Sequence, residues 1–129
     1  MIRVDRIDHL VLTVRDMAAT IDFYTRVLGM REQTFGEGRK ALLFGRQKLN
    51  LHHAGGELEP KSRVPTPGSA DLCFIVIGGL EGVQAHLAAC NVPLELPPSP
   101  RTGATGPIQS VYLRDPDGNL IELSVYPDD

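Results

Sequence analysis

The sequence contains no tryptophan, and aromatic residues make up only 5% of its 129 residues. Single-stranded nucleic acids are usually held by stacking bases on aromatic rings, so this scarcity argues against a nucleic-acid-binding surface. The formal net charge of −3 argues the same way, because phosphate backbones and anionic membranes attract basic proteins. We therefore expect neither a nucleic-acid partner nor a membrane partner.

Cysteines and long apolar runs are scarce as well. Cys73 and Cys90 are the only cysteines, and their separation fits neither a metal-binding motif nor a redox motif. No apolar run approaches the roughly 20 residues that a transmembrane helix needs. The segment from Met1 to Arg6 lacks the apolar stretch of a signal peptide. These features predict a cytoplasmic protein whose two cysteines are reduced and lie in the core.

The order of predicted secondary-structure elements occurs twice along the chain. Strand-like alternation and helix-like spacing of apolar residues give β-α-β-β-β over residues 5–53, and again over residues 70–127. Residues 54–69 carry glycines and prolines without periodicity and are predicted to be a connector. Because 129 residues with 42% hydrophobic content suffice for a core, we predict one α+β domain, residues 1–129, of paired βαβββ modules.

Capping residues mark the ends of the two predicted helices. Asp16 suits the N-cap of the first helix, and Gly29 suits the position just after its C-terminus. In the second half, apolar residues recur at helical spacing from Leu80 to Cys90, and Asn91 fits the position after that helix.

The second half is predicted to end in a β-hairpin. Residues 93–96 read as a short edge strand, where proline is tolerated, and residues 97–107 read as a long loop. Asp-Pro-Asp-Gly at residues 115–118 predicts a tight turn. In the outgoing strand, residues 120–126, Glu122 lies in the middle, on the face opposite the more aliphatic side chains.

Four side chains on predicted strands could take part in chemistry: His9, His52, Glu122 and Asp71. Two imidazoles and a carboxylate that converge on one surface are typical ligands of zinc, nickel, manganese or iron. The alternative is that each is an ordinary polar residue on a solvated sheet face. A one-residue change of register would also exchange His52 for His53.

Three segments of the chain resemble the vicinal oxygen chelate superfamily, which includes glyoxalase I, fosfomycin-resistance proteins, extradiol dioxygenases and bleomycin-resistance proteins. Residues 44–52 and 100–107 are further similar to its glyoxalase domain-containing protein 5 subgroup. The superfamily-like segments are Ile-Asp-His-Leu-Val-Leu-Thr-Val (7–14), Phe-Tyr-Thr-Arg-Val-Leu-Gly-Met (23–30) and Asp-Pro-Asp-Gly-Asn-Leu-Ile-Glu-Leu (115–123).

The resemblance implies an open, U-shaped mixed sheet around a divalent metal, often in a homodimer. It implies metal ligands at His9 and Glu122, with Glu122 also positioned to move a proton. Many members have histidine where this chain has Asp71, and glyoxalase I has a carboxylate or amide where Asn50 aligns. His52 follows Asn50 by two residues on the same strand face, so the remaining ligands are left open among these residues.

Two functions remain open at this point. The first is a metal-dependent enzyme, lyase-like, isomerase-like or a dioxygenase, that chelates a small substrate through two adjacent oxygens. The second is a metal-free protein of the bleomycin-resistance type, which binds and sequesters a small molecule. The scarcity of aromatic rings favours the enzyme, because sequestering large planar drugs usually requires aromatic stacking.

Overall fold

In the computed structural model, residues 1–127 are described, and the chain divides into two compact units. The first is Met1–Pro67, and the second begins at Gly68. Each unit contains one β-α-β-β-β sequence and one four-stranded mixed sheet. The predicted α+β class with paired βαβββ modules is therefore confirmed. No helix within residues 1–127 has the length and hydropathy needed to span a bilayer.

The elements of the first unit are β1 (His9–Val14), α1 (Met17–Asp22), a π-helical continuation (Phe23–Val27), β2 (Arg31–Phe35), β3 (Arg39–Phe44) and β4 (Gln47–His53). Its strand order is β1-β4-β3-β2. The first strand runs parallel to the last, and the other neighbouring pairs are antiparallel.

The first helix begins and ends as predicted but changes type in the middle. Asp16 accepts a hydrogen bond from the backbone N–H of Ala19 at 3.0 Å, and Gly29 takes a φ of +70° after the helix. The π-helical stretch was not predicted. There the hydroxyl of Thr25 donates to the carbonyl of Ile21 at 2.7 Å, and a side chain that bonds the preceding turn competes with the regular backbone pattern.

Buried apolar residues occupy one face of the first sheet. Leu12 and Leu51 are buried there, and Tyr24 and Val27 are buried on the helical segment. Because the apolar residues alternate along β1 and β4, the other face of the same sheet carries the polar side chains. The apolar face is covered by the core, so the polar face is the one on which a ligand could bind.

The elements of the second unit are β5 (Asp71–Ile75), α2 (Leu80–Ala89), β6 (Ser99–Thr102), β7 (Pro107–Arg114) and β8 (Leu120–Val125). It repeats the arrangement with the strand order β5-β8-β7-β6, again with its first and last strands parallel. Asn91 follows its helix with a φ of +59°, as predicted.

Two predictions for the second unit are wrong. Residues 93–96 form no strand, because Pro93 lacks an N–H and only Glu95 bonds to β7, through its N–H to Tyr112 at 2.9 Å. Instead, β6 forms inside the predicted loop, where Ser99–Thr102 pairs with the start of β7.

The cysteines are also more accessible than predicted. Cys73 is exposed, because β5 shows its alternate side chains to solvent at positions 71, 73 and 75. Cys90 is half-buried at the C-terminal end of α2. Neither residue is a core residue, although both are free thiols.

The turn before β8 is held by a buried network that ties it to the start of β5. Asp115 Oδ1 accepts from the backbone N–H groups of Asp117 and Asn119, both at 2.9 Å. The amide nitrogen of Asn119 donates to Asp115 Oδ2 at 2.7 Å. Asn119 Oδ1 accepts from the N–H of Ala70 at 2.8 Å, and Asn119 is only 2% exposed. Asn119 therefore fixes where β5 enters the sheet beside β8.

Replacing Asn119 with alanine is expected to lower the free energy of unfolding by about 2–4 kcal/mol, because the part-buried N–H of Ala70 and the buried carboxylate of Asp115 each lose a hydrogen bond. Chemical denaturation measures this change. Gln109→Ala, which truncates an exposed amide on β7, is the control and should change the free energy little. A loss for Asn119→Ala no larger than that of the control would contradict the structural role of the network.

Candidate small-molecule site

The register of β1 against β4 determines which side chains share the polar face of the first unit. Thr13 pairs with His52, and His9 pairs with Lys48. Since paired residues point to the same side of a sheet, the two candidate histidines lie on one face, together with Asn50. His53 points to the opposite face and is exposed.

His9 is an exposed side chain whose orientation is set by its neighbour. Its Nδ1 donates to Asp8 Oδ2 at 2.8 Å, since a carboxylate only accepts. This hydrogen bond, with nearby positive charge, lowers the pKa of the Asp8 carboxyl. With Nδ1 protonated by this contact, Nε2 is the nitrogen left to accept a proton or bind a metal ion.

His52 and Asn50 bury polar atoms that lack partners. His52 is 7% exposed, and neither its Nε2 nor Asn50 Oδ1 has a hydrogen bond within residues 1–127. Buried polar atoms are nearly always paired in folded proteins. Two unpaired atoms on the same sheet face are therefore characteristic of a place where water or a ligand binds.

A cavity of about 360 Å³ lies against this face. Such a volume is within the range of small-molecule sites. One wall is the sheet, through Val11, Thr13 and His52; the other is the connector, through Pro60, Lys61, Ser62 and Pro65.

In the second unit, Glu122 belongs to a chain of hydroxyl groups. The Ser110 hydroxyl donates to Glu122 Oε2 at 2.6 Å, and the Ser124 hydroxyl donates to the same oxygen at 3.3 Å. The two serine oxygens lie 2.7 Å apart, and Ser124 Oγ lies 3.3 Å from the Cys73 sulfur. Glu122 Oε2 is thus fixed, whereas Oε1 has no hydrogen bond to the described residues.

Sequence reasoning missed Ser110 and Cys73 as neighbours of Glu122. Alternation placed Ser124 on the face of Glu122, but the strand register was needed to bring Cys73 opposite Glu122 and Ser110 opposite Ser124. Asp71 lies on the same face of this unit, exposed at the start of β5.

No three histidine, cysteine, aspartate or glutamate side chains within residues 1–127 are grouped so that they could hold a metal ion. His9 and Glu122 nevertheless have suitable donor chemistry, since each keeps one donor atom without a partner beside an atom that is fixed. Metal ligation by His9, His52, Glu122 and Asp71 stays a prediction.

The surroundings of Cys73 predict an unreactive thiol. Partial burial of the sulfur raises the pKa of the Cys73 thiol most, the hydrogen bond to Ser124 lowers it by less, and the carboxylates of Glu122 and Asp71 add smaller increases. We expect alkylation by iodoacetamide in a Cys90→Ser background to require a higher pH than alkylation of an unperturbed thiol.

Glu122→Gln should shift that pH profile downward, because it removes a negative charge beside the forming thiolate. Glu81→Gln, which neutralises an exposed carboxylate on α2, should leave the profile in place. Equal profiles for both variants would show that Glu122 does not act on the thiol.

Residues 6–123 match the sequence model of the Glyoxalase/Bleomycin resistance protein/Dioxygenase superfamily. The chain is 57% identical to glyoxalase domain-containing protein RDO1 of Mycosarcoma maydis over 122 residues, which are 95% of this chain and 69% of that protein. It is 55% identical to virulence protein STM3117 of Salmonella typhimurium over 123 residues, 95% of this chain and 85% of that protein.

The solved structures agree with these matches. The crystal structure of STM3117 has a TM-score of 0.96, with 54% identity over 97% of this chain and 99% of that one. Lactoylglutathione lyase from Agrobacterium tumefaciens has a TM-score of 0.73, with 25% identity over 95% of each chain. The repeated βαβββ order, the two mixed sheets and these matches show that the chain belongs to the glyoxalase/bleomycin resistance/dioxygenase superfamily, whose fold is that of the vicinal oxygen chelate proteins.

Proposed function

We propose that this chain is a divalent-metal-dependent enzyme, lyase-like or isomerase-like, acting on a small molecule that offers two adjacent oxygens. The observation that supports it most is the state of the two candidate ligands. His9 is oriented through Nδ1 by Asp8, and Glu122 is oriented through Oε2 by Ser110, while His9 Nε2 and Glu122 Oε1 are left for a ligand. Such supporting hydrogen bonds are characteristic of metal ligands.

His9 Nε2 and Glu122 Oε1 would hold the metal, with His52 and Asp71 as further candidates. When bound, a divalent ion supplies Lewis-acid stabilisation of the negative charge that develops on a substrate oxygen. The serine hydroxyls keep Glu122 in one orientation, so Oε1 would be positioned to accept and return a proton whenever it does not hold the metal. The cavity beside His52 would orient the substrate body and exclude part of the water.

The proposed enzyme is a homodimer. Ile75 is 50% exposed on β5, which lies at an edge of its sheet. Exposed apolar side chains on edge strands favour association with another chain. Members of the superfamily often form dimers, and a second chain would also offer further ligands to a metal.

A second candidate function is metal-free binding of a small molecule, and the cavity favours it. Its walls come entirely from the first unit, so it needs neither Glu122 nor a metal. The antibiotic-binding protein TnmS3 from a Streptomyces species shares the fold, with a TM-score of 0.75 and 19% identity over 97% of this chain and 98% of that one. The metal measurement described next separates the two functions.

Metal content, measured by elemental analysis of protein purified without an affinity tag, is expected to be about one divalent ion per site. The double variant His9→Ala, Glu122→Ala should lose it, because both proposed ligands are gone. His53→Ala is the matched control, since His53 is exposed on the opposite face of β4. If the wild-type protein holds no metal and takes up no added zinc, nickel, manganese or iron(II), the proposal of a metal-dependent enzyme is overturned. Metal-free binding of a small molecule is then the function that stands.

Asp8→Asn tests the supporting role of the carboxylate. Because a neutral amide holds the imidazole less firmly and makes Nε2 a weaker donor, we expect metal affinity to fall roughly 10- to 100-fold. Competition with a chromogenic chelator measures the affinity. Asp5→Asn, in the same exposed segment, is the control, and an equal effect of both substitutions would assign the change to net charge alone.

A further inference from the structure

Two cations on the polar face of the first unit share one aromatic ring. The Lys48 ammonium lies 4.0 Å from the centroid of the Phe35 ring, and the Arg39 guanidinium carbon lies 4.7 Å from it. Phe35 pairs with Arg39 across the β2–β3 hairpin, so these residues point to the same side of the sheet. Lys48 is on β4, and its side chain therefore reaches across β3 to the ring.

This face is the one that carries His9 and His52. His9 is the register partner of Lys48. Arg39 precedes Lys40, which pairs with Leu51, so Arg39 lies opposite His52 at the end of the β3–β4 ladder. Arg39 is thus beside the histidine that lines the cavity, and the Phe35 ring links Arg39 to Lys48.

Neither cation has a carboxylate partner within the described residues. Lys40, the neighbour of Arg39 on the other face, pairs with Glu32 at 2.9 Å, and Arg114 pairs with Glu95 at 3.0 Å. The positive charge of Lys48 lowers the pKa of the Asp8 carboxyl, but the hydrogen bond of that carboxylate goes to His9.

An aromatic ring attracts cations through its quadrupole but has no net charge. Lys48 and Arg39 are both half-buried, so solvent screens their repulsion less than it would at an exposed site. Both cations contact the same ring, which neutralises neither of them. An oxyanion bound at this part of the face would be attracted by both charges.

We propose that Lys48, Arg39 and Phe35 form a subsite for an oxyanion, a carboxylate or phosphate group, carried by the small molecule that binds in the cavity beside His52. This inference rests on the proposed function, because the bound anion is taken to be part of the substrate. It adds the chemical class of that substrate. The substrate has an anionic group separate from the oxygens that meet the metal. Lys61, which lines the opposite wall of the cavity, is paired with Glu59 at 3.7 Å and is not part of the proposed subsite.

The test uses the full chain after treatment with a chelator, so that no metal takes part. Inorganic phosphate and acetate are titrated at constant ionic strength, and amide chemical shifts are followed by NMR. We expect saturable shifts at Lys48, Arg39 and His52, with a dissociation constant in roughly the millimolar range. Acetamide, which has the shape of acetate without its charge, should produce no such shifts.

Lys48→Met should weaken phosphate binding by at least about fivefold, because one of the two charged donors is lost. Lys48→Arg should retain binding, because it keeps the charge. Lys40→Met is the matched control, since Lys40 is on the opposite face and already paired. If the Lys48→Met protein does not fold, Arg39→Gln tests the same site, and it should weaken phosphate binding for the same reason.

Equal phosphate affinity in the Lys48→Met, Arg39→Gln and Lys40→Met proteins would overturn the proposal, as would the absence of saturable binding or an equal response to acetamide. Anion binding in a protein that takes up no metal would uphold the subsite while the proposed enzyme fails. Metal uptake without anion binding would support the proposed enzyme and overturn the anion subsite.

Discussion

The parallel pairing of the first and last strands within each unit is the constraint on which the candidate site depends. Because β1 lies beside β4, residues about 40 positions apart in sequence become neighbours on one sheet face, His9 with Lys48 and Thr13 with His52. In the second unit, β5 beside β8 brings Cys73 next to Glu122. A parallel pair requires a crossover connection, and the helix of each unit supplies it. The set of side chains on the polar face of each sheet is therefore determined by this strand pairing.

Much of the fold could be predicted from local patterns. Alternation along β1, β4 and β8 and the caps at Asp16 and Gly29 each depend on a few adjacent residues, and the structure agrees with them. The strand at Ser99–Thr102 could not be found in this way. A stretch rich in proline and glycine becomes an edge strand only because β7 offers it a partner. The π-helical turn depends in the same way on one threonine hydroxyl.

The candidate site was less predictable because it depends on register and on contacts distant in sequence. Alternation places Glu122 and Ser124 on one face, but it does not reveal that Ser110 fixes one oxygen of the carboxylate. It also gives no indication that Lys48 and Arg39 both lie against the Phe35 ring, since the three residues come from three strands. Residue types suggest metal chemistry, whereas the unpaired atoms of His52 and Asn50 appear only in three dimensions.

The connector forms one wall of the cavity although it has no strand or helix between Pro60 and Pro65. The opposite wall is part of a hydrogen-bonded ladder in which a change of side chain also affects folding. Substitutions between Pro60 and Pro65 therefore reshape the cavity at little cost to stability. Within one scaffold, ligand preference can diversify through this segment while the sheet residues stay under the selection imposed by folding.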